Sequence, residues 1–215
     1  GCLILDKTRV GSTLKVAQVN YSDIIGGAAR AAYRIHHSLC SQGMDSRMWV
    51  VNKASTGDWS VQGPISKWSK VVSKVRASLG ELMNYSLHTD NLVLHSPAIL
   101  PSRWATRMNT SDDDVVHLHW VNSEMLSVAD ISRIRKPVVW TLHDMWAFCG
   151  AEHYTGDLRW REGYTRHNRP AHESGFDLNR WVWRRKSRNW HRPMQIVTPS
   201  RWLADCARQS VLMRD

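Results

Sequence analysis

Two segments of the chain run from apolar residues into groups that can move protons or grip hydroxyls. PVVWTLHDMWAFCG, residues 137–150, carries Val138, Val139 and Trp140 into Thr141 and then breaks at His143 and Asp144. DVVHLHWVN, residues 114–122, has the same shape, with His117 and His119 followed by Trp120 and Asn122. An imidazole oriented by a neighbouring carboxylate can bind a sugar or phosphate oxygen and exchange a proton with it. The same residues equally well cap a strand, and for a lone histidine that is the commoner role. Two imidazoles and an aspartate lack a recognised ligand spacing, so a metal is not expected.

Such residues must be delivered by strands. A short apolar run that ends in titratable groups reads as a buried parallel strand whose carboxyl end opens into a cleft, the end where open α/β sheets hold ligands. KVAQVN (15–20) reads as a first strand, Ile24 to Gly27 as a turn, and Gly27 to about Cys40 as a helix with Ala28, Ala32, Ile35 and Leu39 at helical spacing. SRMWVV (46–51) completes a strand, helix, strand unit of the Rossmann kind. Residues 53–66 read as loop. A helix over 66–87 places Trp68, Val72, Val75, Leu79 and Leu82 on one face and Lys67, Lys70 and Lys74 on another. Residues 88–113 read as irregular, with at most a short strand or helical turn.

Strands at 114–119 and 137–142 flank a short helix near 124–133. The His- and Arg-rich stretch 151–175 has no period and reads as a long loop. A basic helix follows at 177–188, then a strand at 195–198. Ser200 caps a final helix whose Trp202, Leu203 and Cys206 face inward. The alternation predicts a Rossmann-like three-layer α/β/α domain with a mainly parallel sheet.

Gly26 and Gly27, between a strand and a helix, would let backbone N–H groups approach a phosphate. Steric demand of a tight turn explains them as readily, since GxGxxG is absent. Trp181, Trp183, Arg184, Arg185, Lys186, Arg188, Trp190 and Arg192 form a basic, aromatic cluster. With Lys67, Lys70 and Lys74 it suits an anionic membrane interface or a single-stranded nucleic acid; solvated basic faces over core tryptophans account for it equally.

Composition narrows the class. The chain has 215 residues, 42% hydrophobic and 22% charged, which is globular rather than disordered. Its 12 Trp are unusual, and 29 Lys+Arg against 19 Asp+Glu give +10, a charge that attracts polyanions. Cys2, Cys40, Cys149 and Cys206 form no CxxC pair and fit a reducing compartment. No stretch approaches the ~20 apolar residues of a spanning helix. Walker A, GxSxG and HExxH are absent, which removes several enzyme classes.

Taken in order, KVAQVNYSDIIGGAARAAYRIHHSL, DVVHLHWVN, PVVWTLHDMWAFCGAEHY and IVTPSRWLADCARQS resemble the N-terminal half of bacterial family 4 glycosyltransferases of the GT-B type. The resemblance covers residues 15–215 and leaves 1–14 as a leader or added segment. It implies a retaining, metal- and cofactor-independent transfer from a nucleotide sugar to a lipid-linked or glycan acceptor in exopolysaccharide or O-antigen synthesis. On it, Gly26 and Gly27 face the donor diphosphate and His143 is the catalytic group. Asp144 and Trp146 shape its pocket, while His119, Trp120 and Asn122 line the acceptor side. The setting is the inner face of the cytoplasmic membrane, touched by Lys67, Lys70, Lys74, Arg184, Arg185 and Arg188, with no nucleic acid as partner. Family members carry paired glutamates in a C-terminal donor-binding domain; here the sequence ends at Asp215, so by this likeness it is a truncation or a half-enzyme needing a partner. The cysteine cluster that many members carry after HDMW is also missing.

Overall fold

A computed structural model describes residues 13–64 and 66–214; most of the expected leader lies outside them. β1 (Lys15–Ser22) leads through a glycine turn into α1 (Gly27–Ser41) and β2 (Asp45–Asn52). β3 (Val61–Gln62) and α2 (Lys67–Asn84) follow, then β4 (Leu87–His88), α3 (Trp104–Thr110) and β5 (Val115–Leu118). The chain continues with α4 (Val128–Ser132), β6 (Val138–Thr141), α5 (Arg159–Glu162) and β7 (Ser174–Gly175). It closes with α6 (Leu178–Asn189), β8 (Gln195–Val197) and α7 (Arg201–Gln209).

Six strands form one all-parallel sheet in the order β3-β2-β1-β5-β6-β8, flanked by helices as a Rossmann-like three-layer fold. β4 and β7 form a separate antiparallel pair. The winding reverses between β1 and β5, because β1 passes through α1 to β2 on one side while β5 pairs on the other. At such a reversal the loops leaving the strands diverge and open a crevice at their carboxyl ends.

The core follows the expected strands. Ala17, Val19, Val116, Leu118, Val138 and Trp140 are buried among the residues of the largest apolar cluster. Their burial on both faces is why these strands read as apolar runs rather than alternations. α1 is rotated from its expected face: Ala29, Ala32 and His36 are the fully buried residues. His36 is tolerated there because its ring nitrogens meet Ser46 Oγ and Ser60 Oγ, each at 2.8 Å.

Several local expectations are corrected. The 53–66 loop contains β3, paired with β2. The irregular 88–113 stretch contains the two-turn α3. α4 begins only at Val128, where Ser127 and Asp130 cap each other's backbone N–H, because Ser123 and Glu124 adopt positive φ and break any earlier helix. Ser200 caps α7 as expected, but Trp202 points outward at 56% exposure while Leu203, Cys206 and Ala207 face in.

α2 packs with its small and polar side. A Cβ at Gly80 would lie 2.6 Å from Glu124 Cγ, so the helix approaches the 124 segment closely there. Arg76 donates to the carbonyls of Leu100, Pro101 and Glu124. The apolar stripe of Trp68, Val72, Val75, Leu79 and Leu82 is exposed.

Candidate functional site

β5 and β6 deliver three imidazoles to one edge. Residues two apart on a strand share a face, so His117 and His119 lie together, ring centroids 4.2 Å apart. Across the parallel pairing, Thr141 and His143 meet them: His117 Nε2 is 2.8 Å from Thr141 Oγ1 and His119 Nδ1 is 3.3 Å from His143 Nε2. From the other side, Gln18 of β1 places Oε1 2.7 Å from His119 Nε2.

The proton positions follow from the orientation of the Gln18 amide, whose Oε1 faces His119. The amide oxygen of Gln18 accepts, so His119 carries its proton on Nε2 and accepts at Nδ1 from His143 Nε2–H. His143 Nδ1 is then a lone pair with no partner among the described residues. Burial keeps the row neutral. It drives His117 down to about 4, aided by repulsion from His143. Burial and the two neighbouring imidazoles push His119 well below the ordinary value. His143 is lowered by burial, with Asp144 opposing.

Asp144 is held from three directions. Its Oδ1 accepts from Trp146 N at 3.0 Å, and its Oδ2 accepts from Trp120 Nε1 at 3.1 Å and from His153 Nδ1 at 2.6 Å. His153 Nε2 in turn lies 2.8 Å from Ser96 Oγ. Ser96, His153 and Asp144 thus stand in the order of an acyl-transfer triad. However, Ser96 and His153 are each only 4% exposed, and the opening beside Ser96 measures about 20 Å³, room for a water. The chain of contacts therefore orients Asp144 and is closed to a substrate acyl group.

The glycine turn lies at the same edge. Gly26 has φ 97°, a left-handed value that favours glycine, whereas Gly27 begins α1. Apart from the adjoining residues and the helix's own backbone, nothing lies within 4 Å of a Cβ built on either residue. No side chain caps the first turn of α1. The turn borders a cavity of about 280 Å³ also lined by Asn20, Tyr21, Ser22 and Trp120. Trp120 packs edge-on against Tyr21, centroids 5.8 Å apart, so its indole joins this cavity to Asp144.

Three expected site residues occupy other places. Trp146 is core rather than pocket wall: it is buried and donates from Nε1 to Ser96 O. His119 and Asn122 are buried too, so neither presents a surface to an acceptor; His119 instead contacts His143. Of the basic residues, Lys70, Lys74, Arg184 and Arg188 are exposed, while Arg185 lies 4.8 Å over the ring of Trp181. The side chain of Lys67 lies outside the described residues.

Asp23 and Lys186 carry no motif that would reveal them. Asp23 is buried; burial opposes its ionisation, but hydrogen bonds from Ser55 and from the N–H groups of Ala54, Ser55 and Ile24 outweigh it. It ties the glycine turn to the end of β2. Lys186, fully buried on α6, donates to the carbonyls of Trp146, Cys149 and Gly150 and lies 3.8 Å over the Trp146 ring. Burial pushes it down to about 7. Its three N–H groups are nevertheless matched by three carbonyls, the pattern of the charged form.

Among the described residues no group of three or more His, Cys, Asp or Glu could hold a metal ion, and no helix is long and apolar enough to cross a membrane. No protein family, curated protein or solved structure matches the chain.

Proposed function

We propose that this chain is the acceptor-side domain of a retaining, family 4 type glycosyltransferase that moves a sugar from a nucleotide sugar to a lipid-linked or glycan acceptor. The observation that carries this reading is the convergence of the Gly26–Gly27 turn and the free Nδ1 of His143 on one sheet edge, linked through Trp120 and Asp144. In this role the uncapped N–H groups of α1 receive the donor's diphosphate, where their partial positive charge favours the departing nucleotide. Neutral His143 accepts a hydrogen bond at Nδ1 from a hydroxyl of the transferred sugar. The relay through His119 and Gln18 keeps its other nitrogen protonated, and the Ser96–His153–Asp144 chain fixes the carboxylate beside it. The reaction belongs on the cytoplasmic face of an anionic membrane, in bacterial polysaccharide synthesis.

The test is sugar transfer by the whole protein with nucleotide-sugar donors, comparing the parent with His143→Ala. The reading expects a loss of at least about 100-fold, the usual scale for removing a group positioned at the reacting centre. Undiminished transfer would sink the assigned role.

A second reading, a non-catalytic module that docks on anionic membranes or nucleic acid, draws on the exposed stripe of α2 and its exposed Lys70 and Lys74. It predicts salt-sensitive co-sedimentation with anionic vesicles and a His143→Ala variant that binds as the parent does. Tight binding to arbitrary oligonucleotides would favour its nucleic-acid form.

A further inference from the structure

A second opening, larger than the glycine cavity, lies apart from His143. It is a cleft of about 680 Å³ between α2 and the crevice where β1 and β5 diverge, and it shares Tyr21 with the glycine cavity. Trp68 and Val72 of α2 form one wall, and Arg103, Trp104 and Arg107 another. The floor is rigid. Arg76 straps α2 to the carbonyls of Leu100, Pro101 and Glu124, and Glu124 Oε2 accepts from the N–H groups of Ile99 and Leu100 at 2.9 and 2.7 Å. Ser123 and Glu124 hold φ values of 51° and 57°, and such strained backbone persists only where its surroundings over-determine it.

Two guanidiniums, those of Arg103 and Arg107, line this cleft. Arg107 is half-buried, 4.3 Å over Trp49 and 5.2 Å over Trp104, with one hydrogen bond, to Gln62 Oε1. Arg103, one helical turn earlier, is exposed. Among the described residues neither forms an ion pair. A half-buried cation oriented by two indoles, without an ion pair and with only the charge of Asp113 nearby, is poised for an anion, and paired arginine forks match phosphate oxygens.

The cleft is apolar on its α2 side, and the apolar lining does not end with it. From Trp68 and Val72 the exposed stripe continues through Val75 and Leu79 to Leu82, about 21 Å at 1.5 Å per residue. A charged end that opens onto an apolar track fits one kind of ligand. We infer that the cleft binds a single phosphate-bearing amphiphile, with its phosphate or diphosphate between Arg103 and Arg107 and its hydrocarbon chain along the outer face of α2. The binding site stands on the cleft and its unpaired arginines alone; only its identification as the place of a lipid-linked acceptor rests on the sugar-transfer reading.

The test is calorimetric titration of the whole protein with dodecyl phosphate below its micelle concentration, with inorganic pyrophosphate and neutral dodecyl maltoside as separate arms. Dodecyl phosphate should bind at least tenfold tighter than either comparator. Arg103→Gln, which disturbs no hydrogen bond of the fold, and Val75→Asp, on the exposed stripe, should each weaken it about tenfold and leave the melting temperature unchanged. Equal binding of the neutral detergent, or of pyrophosphate, would overturn the two-part site, as would parental affinity in both variants. Association with anionic vesicles without binding of monomeric dodecyl phosphate would replace it with a membrane-surface contact. Sugar transfer is measured separately, so loss of that reading leaves the binding result standing.

Discussion

Nδ1 of His153 lies 2.6 Å from Oδ2 of Asp144, and this contact fixes the carboxylate adjoining His143. His153 also meets Ser96 at its other nitrogen. Removing the imidazole leaves both partners buried and short of a hydrogen bond, a loss of about 1–3 kcal/mol. His153→Ala should lower the urea midpoint accordingly, and Ser96→Ala, which deletes only the end of the chain, should do so by less. A His153→Ala protein with the parent's midpoint would show that the chain does not hold Asp144.

Acid should destabilise this fold through its neutral histidines. His36, His117, His119 and His143 all have folded values below the ordinary one, each chiefly from burial. The unfolded chain therefore binds protons near pH 6.5 while the folded chain does not, so stability is lost as pH falls from there towards the folded values. His117, lowered to about 4, accounts for up to roughly 3 kcal/mol of this. Buried Glu152 and Glu124 oppose it, because burial raises both carboxyls, Glu152 to about 6, and the folded state gains those protons first. With His95, also lowered by burial, five histidines stand against these two carboxyls. Urea unfolding between pH 7 and 4.5 should show a falling free energy, and His117→Asn should flatten the fall.

Sequence patterns disclosed the parallel strands because their residues are buried on both faces, and they exposed the histidines because polar groups interrupt those runs. They could not show which imidazole is free. That depends on Gln18, 101 residues from His119 in the chain, whose amide fixes the tautomers. Periodicity likewise found the apolar stripe of α2 but not its direction. Gly80 and Arg76, read singly, do not reveal that the small and polar side is the packed one. Lys186 sits in a run of basic residues and gives no sign that it alone is fully buried.

Lys186 is a strut for the segment that follows His143 and Asp144. It gathers the carbonyls of Trp146, Cys149 and Gly150, none of which reaches water there. Lys186→Met keeps the stem and deletes the donors, so three buried acceptors lose a partner at once. The expected cost is about 3–5 kcal/mol, a large part of the stability of an ordinary domain. Denaturant unfolding with tryptophan fluorescence reads it directly, since Trp146 lies under the ammonium. A change below about 1 kcal/mol would mean that the carbonyls find other donors.

The two glycines of the turn separate folding from ligand binding. Gly26 has a left-handed φ, so Gly26→Ala should cost about 1–2 kcal/mol through the backbone alone, there being no neighbour to clash with. Gly27 stands at the start of α1 with ordinary φ and open space where a Cβ would go. Gly27→Ala should therefore leave stability unchanged or raise it by up to about 1 kcal/mol, as alanine favours the helix. If a diphosphate approaches this turn closely, the added methyl group stands in its way, and Gly27→Ala should weaken nucleotide-sugar binding at least tenfold while the protein melts no earlier than its parent. Equal binding by Gly27→Ala and the parent would show that no ligand comes that close and that the glycine pair is only a turn.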